Sequence, residues 1–121
     1  MPAVHGYHAH VYYDAETLPV AERLRERLAA AFPVELGRFS GEQVGPHPVP
    51  QFQIIFKAAQ FAEVMPWLML NRDGLDILVH PLTDDMLDDH TVYACWLGTP
   101  VALKLDTMQR RGYRPELLPA A

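Results

Sequence analysis

The sequence predicts an α+β domain, and three observations carry that reading. Stretches that alternate with period two and stretches with helical spacing follow one another along the chain. Turn-forming clusters rich in Pro, Gly, Asn and Asp separate them. The 121 residues are one domain's worth, and half of them are hydrophobic, enough for a real core.

Residues 5–13, His-Gly-Tyr-His-Ala-His-Val-Tyr-Tyr, are aromatic-rich and alternate, so they form a first strand. Residues 15–31 form a helix, with Leu18, Ala21, Leu24, Leu28 and Ala31 on one face and Glu22, Arg23, Glu26 and Arg27 elsewhere. Asp14 or Thr17 caps its start, Pro19 is tolerated in the first turn, and Pro33 ends it. Residues 34–39 make a short second strand. Residues 40–50 hold three prolines and two glycines and are a loop. Residues 51–57 make a third strand, in which Phe52, Ile54 and Phe56 alternate with Gln51 and Gln53. Residues 58–70 form a second helix, kinked or shortened at Pro66, before the turn Asn71-Arg72-Asp73-Gly74. Residues 75–80 make a fourth strand. Thr83-Asp84-Asp85 caps a short helix over roughly 85–96, although Thr91, Val92 and Tyr93 also suit a strand. Residues 101–105 add a short edge strand, and the tail over 106–121 is loosely held.

Strand, helix, strand, strand, helix, strand is the split βαβ order of a ferredoxin-like sandwich. The expectation is a four-stranded antiparallel sheet with two helices on one face and a C-terminal extension, in a single domain over 1–121 with its core at 5–105. Placing the histidines requires strand directions. With the first and third strands taken as parallel neighbours and the fourth antiparallel beside the first, five of the six histidines gather at one end of the sheet. His5, at the chain start, drops out.

Alternation also chooses a face. Tyr7, Ala9 and Val11, then Phe52, Ile54 and Phe56, then Leu75, Ile77 and Val79 form the core sets. That leaves His8, His10, Tyr12, Gln51, Gln53, Asp76, Leu78 and His80 on the opposite, open face. Two histidines at i, i+2 on a strand can reach one divalent ion, and a third ligand from an adjacent strand completes a coordination face, as in non-haem iron oxygenases. His8, His10 and His80 are the candidate ligands, with Glu42 or Asp76 as fallback carboxylates. A His-x-His pair standing alone is more often incidental; His80 and His47 beside it are what favour a metal.

His47, held between Pro46 and Pro48, reads as a positioned acid–base group or as a structural turn. His90 reads as a ligand, a proton shuttle or a helix-cap partner of Asp88 or Asp89. Tyr12 and Gln53 are candidate substrate contacts. Arg38 and Arg72 are candidates for gripping a substrate carboxylate, against a plainer role in surface ion pairs. Trp67 and Trp96 read as core or dimer interface, and Cys95 as inert packing in an apolar setting.

The bulk chemistry excludes several classes. A net charge of -5 and a pI near 5.6 argue against a nucleic-acid surface. Arg23, Arg25 and Arg27 on one helix, and Arg110, Arg111 and Arg114 in the tail, read as solvated groups. One cysteine makes no internal disulfide, and neither a signal peptide nor a membrane span is visible, so the expectation is a cytoplasmic protein.

His8-Ala9-His10-Val11-Tyr12 followed by Asp14, Gly45-Pro46-His47-Pro48, Asn71-Arg72, Leu78-Val79-His80-Pro81, and Asp89-His90-Thr91 with Trp96-Leu97-Gly98 together resemble the DOPA 4,5-dioxygenase family. The resemblance spans about residues 5–105. It implies a ferredoxin-like domain, commonly a homodimer, with non-haem Fe(II), for which zinc or another divalent metal can substitute in a purified sample. It implies extradiol opening of a catechol such as DOPA, with both atoms of dioxygen incorporated. The substrates expected are thus a small aromatic diol and dioxygen. Two other readings compete: a metal-independent monooxygenase of the dimeric α+β barrel type, and a non-catalytic metal- or ligand-binding module.

Overall fold

The computed structural model describes residues 1–41, 45–106, 108 and 119. Its elements are β1 (Tyr7–Tyr12), α1 (Leu18–Ala31), β2 (Glu35–Leu36), β3 (Gln51–Phe56), α2 (Phe61–Asn71), β4 (Ile77–Pro81), α3 (Met86–Asp89) and β5 (Cys95–Leu97). The strands form one five-stranded sheet in the order β2-β3-β1-β4-β5, and every neighbouring pair is antiparallel. The first four strands keep the ferredoxin-like order expected from the sequence.

Core and faces follow the alternation. Ala9, Val11, Phe52, Ile54, Phe56, Leu75, Ile77 and Val79 pack with Ala21, Leu24 and Leu28 of α1 and Val64, Met65 and Leu68 of α2. The helices therefore cover one face of the sheet. Leu18 is only half-buried and Ala31 is exposed, so the buried stripe of α1 is shorter than its spacing suggests. Asp14 organises the helix entry: its Oδ1 accepts from the backbone N–H groups of Glu16 and Thr17, and Thr17 Oγ1 accepts from Asp14 N–H. The Thr17 backbone N–H and then its hydroxyl, both donating to the Asp14 carboxylate, hold it below its usual range. Phe32 is already extended, as the residue before a proline prefers.

Several local expectations are corrected. α2 continues through Pro66 to Asn71, with a 3₁₀ turn over Ala58–Gln60 in front of it. The segment expected as a helix over 85–96 is helical only at Met86–Asp89; residues 91–93 are a turn, and β5 follows. Residues 101–105 form no strand; the edge strand is β5, which pairs with β4. Cys95 is exposed rather than packed, because it falls on the outermost strand. Glu42, Arg110, Arg111 and Arg114 lie outside the described residues. No helix among the described residues is long and apolar enough to cross a membrane.

The largest correction concerns strand direction. β1 and β3 are antiparallel, with Tyr7 opposite Phe56 and Tyr12 opposite Gln51. The start of β3 therefore lies beside the end of β1. His80 lies opposite His8, near the start of β1, while His47 enters from the other end. The histidines do not share one end of the sheet. They meet in the middle of its second face, because loops fold back over it.

Candidate metal centre

His8 and His10 project from β1 and His80 from β4, all onto the face opposite the helices. That face is not open. His8, His10, Tyr12, Gln51, Leu78 and His80 are all buried, as are His47 and His90, which arrive on loops. Pro46 and Pro48 bracket His47, and the backbone N–H of Lys104 donates to Pro46 O at 2.8 Å, so the start of the C-terminal segment braces this loop. α3 delivers His90. Its N-cap Asp85 accepts from Asp88 N–H, and the buried Asp89 carboxylate accepts from Thr83 N–H at 3.0 Å and from Thr83 Oγ1.

His10 is the hub. Its ring centroid lies 4.1 Å from that of His47, 5.2 Å from His80, 5.7 Å from His8 and 6.2 Å from His90. Among the described residues, two sets of three offer ligand nitrogens within 4.8 Å of one another: His8, His10 and His80, and His10, His47 and His90. The sequence-predicted ligands are thus brought together, and so are the two histidines expected as acid–base groups.

Hydrogen bonds orient these rings. His10 Nδ1 lies 2.9 Å from Gln51 Oε1, His80 Nδ1 2.8 Å from Pro81 O, and His90 Nδ1 2.7 Å from Met86 O. Carbonyl oxygens only accept, so each of these Nδ1 atoms carries the proton and each Nε2 presents a lone pair. This is the outer support that metal-binding histidines ordinarily have. His10 Nε2 and His80 Nε2 stand 3.1 Å apart. Two nitrogens bound at about 2.1 Å and at right angles to one ion would be about 3.0 Å apart. Two lone pairs at this distance repel each other, and a shared cation reverses the sign. Imidazole nitrogens suit Fe, Zn, Cu and Ni alike, so the donor set fits a divalent transition metal.

Electrostatics keeps His10, His47, His80 and His90 unprotonated. Burial, followed by the neighbouring His47, holds His10 well below the usual imidazole range; burial, followed by His90, does the same to His80. Burial lowers His47 to about 4 and also lowers His90. Metal ligands must be unprotonated, so these shifts favour binding. They also set a pH dependence of folding. The unfolded chain takes up a proton near pH 6.5 that folded His47 refuses until about pH 4, so the unfolded state gains as pH falls through this window. For His47 alone the loss approaches about 3 kcal/mol at the low end, at about 1.4 kcal/mol per pH unit. The urea midpoint of the metal-free protein should therefore fall steadily between pH 6.5 and 4.5. A flat midpoint there would contradict the buried, neutral state of the cluster.

Other candidates are placed differently. Gln53 is half-buried opposite His10 in the ladder, whereas its neighbour Gln51 is the one that touches His10. Tyr12 places its hydroxyl 2.7 Å from His47 Nδ1, and its ring stacks on Trp96 at 5.9 Å. Trp96 thus belongs to the margin of the histidine face, while Trp67 packs edge-on against Phe32 under the helices. Arg72 donates to Leu75 O at 2.8 Å and lies against Gly98, bracing a turn. Arg38 is exposed just after β2, two strands from β1. Asp76 Oδ1 accepts from Thr99 N–H, so this carboxylate is engaged outside the cluster. His5 pairs with Asp84 at 3.2 Å, apart from the other histidines. Sequence reasoning missed Gln51 as the orienting partner of His10 and Asp89 as the anchor of α3. The position of Gln51 on the same face as His10 was the available signal for the first; nothing local signalled the second.

Comparison with known proteins adds independent information. The Dopa 4,5-dioxygenase family matches over residues 7–107. An uncharacterised 21.2 kDa protein of Botryotinia fuckeliana is 38% identical over 87% of this chain, and a DOPA 4,5-dioxygenase of Amanita muscaria is 35% identical over 82%. The chain spans 64% and 47%, respectively, of the length of these two relatives. A crystal structure from Nostoc punctiforme, provisionally described as a dioxygenase, is 53% identical and superposes with a TM-score of 0.84, covering 86% of this chain and 90% of that one.

Proposed function

The chain belongs to the Dopa 4,5-dioxygenase family, and from that premise we propose that it cleaves a catechol ring extradiol to its hydroxyls, with Fe(II) held by His8, His10 and His80. The observation that carries the reading is the pair of Nε2 lone pairs of His10 and His80 facing each other at 3.1 Å. The triad of His8, His10 and His80 is the strand-borne one. His8 and His80 lie opposite each other on adjacent strands, and His10 is two residues from His8, whereas His47 and His90 come from loops and a single-turn helix. His10 has one available nitrogen, so one ion at a time can use it.

The net reaction joins a catechol and dioxygen into a ring-opened hydroxymuconic semialdehyde. One ring C–C bond beside the diol breaks, both oxygen atoms enter the product, and the ring supplies the electrons. The ferrous ion, when bound, acidifies the catechol hydroxyls and passes electrons toward dioxygen. The protein supplies the rest. His90, unprotonated at neutral pH, stands beside the ligands as the group that accepts and returns a proton, with His47 next to it as a hydrogen-bond donor. A cavity of about 260 Å³ opens beside Tyr12, lined by Val49, Leu75, Val101, Asp14 and Asp76 and by none of the clustered histidines, so it adjoins the metal centre through Tyr12. Those carboxylates suit an ammonium group, such as that of an amino-acid catechol like DOPA. Gln53 extends the polar surface next to His10.

We read the protein as a cytoplasmic homodimer. Exposed Val92 and Tyr93 precede β5, the last strand of the sheet order, and an apolar edge of this kind favours pairing with a second copy. A free, exposed Cys95 suits a reducing compartment.

The functional test is anaerobic loading with Fe(II), followed by oxygen-electrode assays on a panel of catechols with and without an ammonium side chain. Oxygen uptake with a yellow ring-opened product is the expected result. Uptake on no catechol by protein that has bound iron would overturn the catalytic reading and leave a metal-binding module.

A further inference from the structure

Tyr12 is a buried phenol at the end of β1, locked between the strand and the ring of Trp96. Among the described residues its hydroxyl has one hydrogen-bond partner, His47 Nδ1, at 2.7 Å. A buried O–H that found no acceptor would lose its hydration without compensation, so the phenol must donate to that nitrogen. Neutral imidazole carries one N–H and one lone pair. With Nδ1 accepting, the proton of His47 sits on Nε2. His10, His80 and His90 are the reverse: each spends its Nδ1–H on an oxygen and keeps the lone pair on Nε2.

We propose that Tyr12 decides which histidine triad takes the metal, by spending both nitrogens of His47. The inference rests on the metal-centre reading above and goes beyond it. The cluster contains two overlapping triads, and His10 belongs to both. A metal needs a lone pair from every ligand. In the triad of His10, His47 and His90, the Nδ1 lone pair of His47 is occupied by the phenol and its Nε2 carries hydrogen. That triad is one ligand short, and the ion goes to His8, His10 and His80. Tyr12 is therefore a positioning residue rather than a substrate contact. The same tautomer divides the two remaining histidines by role: His47 Nε2–H is a hydrogen-bond donor, and His90 Nε2 is an acceptor.

The test begins with metal-free protein labelled with ¹⁵N-histidine, using two-bond ¹H–¹⁵N correlations at neutral pH. Wild type should show His47 protonated at Nε2 and His10, His80 and His90 protonated at Nδ1. In Tyr12→Phe, His47 should move toward the Nδ1–H form. A wild-type His47 already in the Nδ1–H form overturns the proposal. The second arm titrates Zn(II). His8→Ala should weaken binding by at least about tenfold. His8→Ala/Tyr12→Phe should recover most of that loss through His47, and adding His47→Ala should remove it again. If the double variant, folded by circular dichroism, binds no more tightly than His8→Ala, Tyr12 does not select the triad. Wild type that binds no Zn(II) would remove the metal-centre reading itself and with it the choice of triad, while the tautomer pattern in the metal-free protein still separates that failure from one at Tyr12.

Discussion

His10→Ala should abolish stoichiometric metal binding while leaving a folded protein. His10 is the one residue common to both candidate triads, and its ring neighbours all four other histidines of the cluster. Loss of an outer-shell partner alone commonly weakens a metal site by about 10–100-fold, so loss of the shared ligand should exceed a hundredfold. Stability should change little, because two effects oppose each other. The substitution strips Gln51 Oε1 of its partner, which costs about 1–3 kcal/mol when the atom is buried. It also removes the lone-pair repulsion between His10 and His80 in the metal-free protein. Metal analysis of purified protein, paired with a urea titration, reads both. Full metal content in this variant would show that the ion sits elsewhere.

Phe52→Ala should be the most damaging single truncation in the fold, at about 3–5 kcal/mol. Phe52 has no exposed surface, lies opposite Val11 in the sheet, and meets the ring of Phe39 at 5.2 Å. A domain of this size is commonly stable by only about 5–15 kcal/mol, so the variant should approach the edge of folding. Metal affinity should fall with it, because the residue on either side of Phe52 faces the histidines: Gln51 holds His10, and Gln53 lies opposite it. A loss of unfolding free energy below about 1 kcal/mol in urea titration would mean that the site collapses to fill the cavity, against the close packing seen here. In His10→Ala, by contrast, metal is lost and stability kept. The two variants together separate the site from its scaffold.

The legible part of this protein is periodic. Ala9 and Val11, Phe52, Ile54 and Phe56, and Ile77 and Val79 all point to the helices as alternation requires, and the same rule sends His8, His10 and His80 to the other face. Period two is a local property of each strand, independent of what lies beside it. The motifs around those histidines likewise carried the family, which the match over residues 7–107 shows. The illegible part is relational. The expected antiparallel sheet already makes the neighbours β1 and β3 antiparallel, and taking them as parallel instead placed the cluster at an end of the sheet rather than on its face. Alternation does not reveal what covers a face. The sequence left it open, whereas His47 and His90 are folded over it by loops held through Pro46–Lys104 and Thr83–Asp89 contacts.

The identity of the histidines, their common face and the family were thus determined by the sequence itself. The tertiary structure decided what each nitrogen does. Whether an imidazole offers a lone pair or a proton depends on the atom opposite its other nitrogen: Gln51, Pro81 and Met86 oxygens for three of them, and the Tyr12 phenol for His47. Only Pro81 adjoins its histidine in the chain. The others are brought into range by strand register, a helical turn or a folded loop, and hydrogen-bond direction is set across that space.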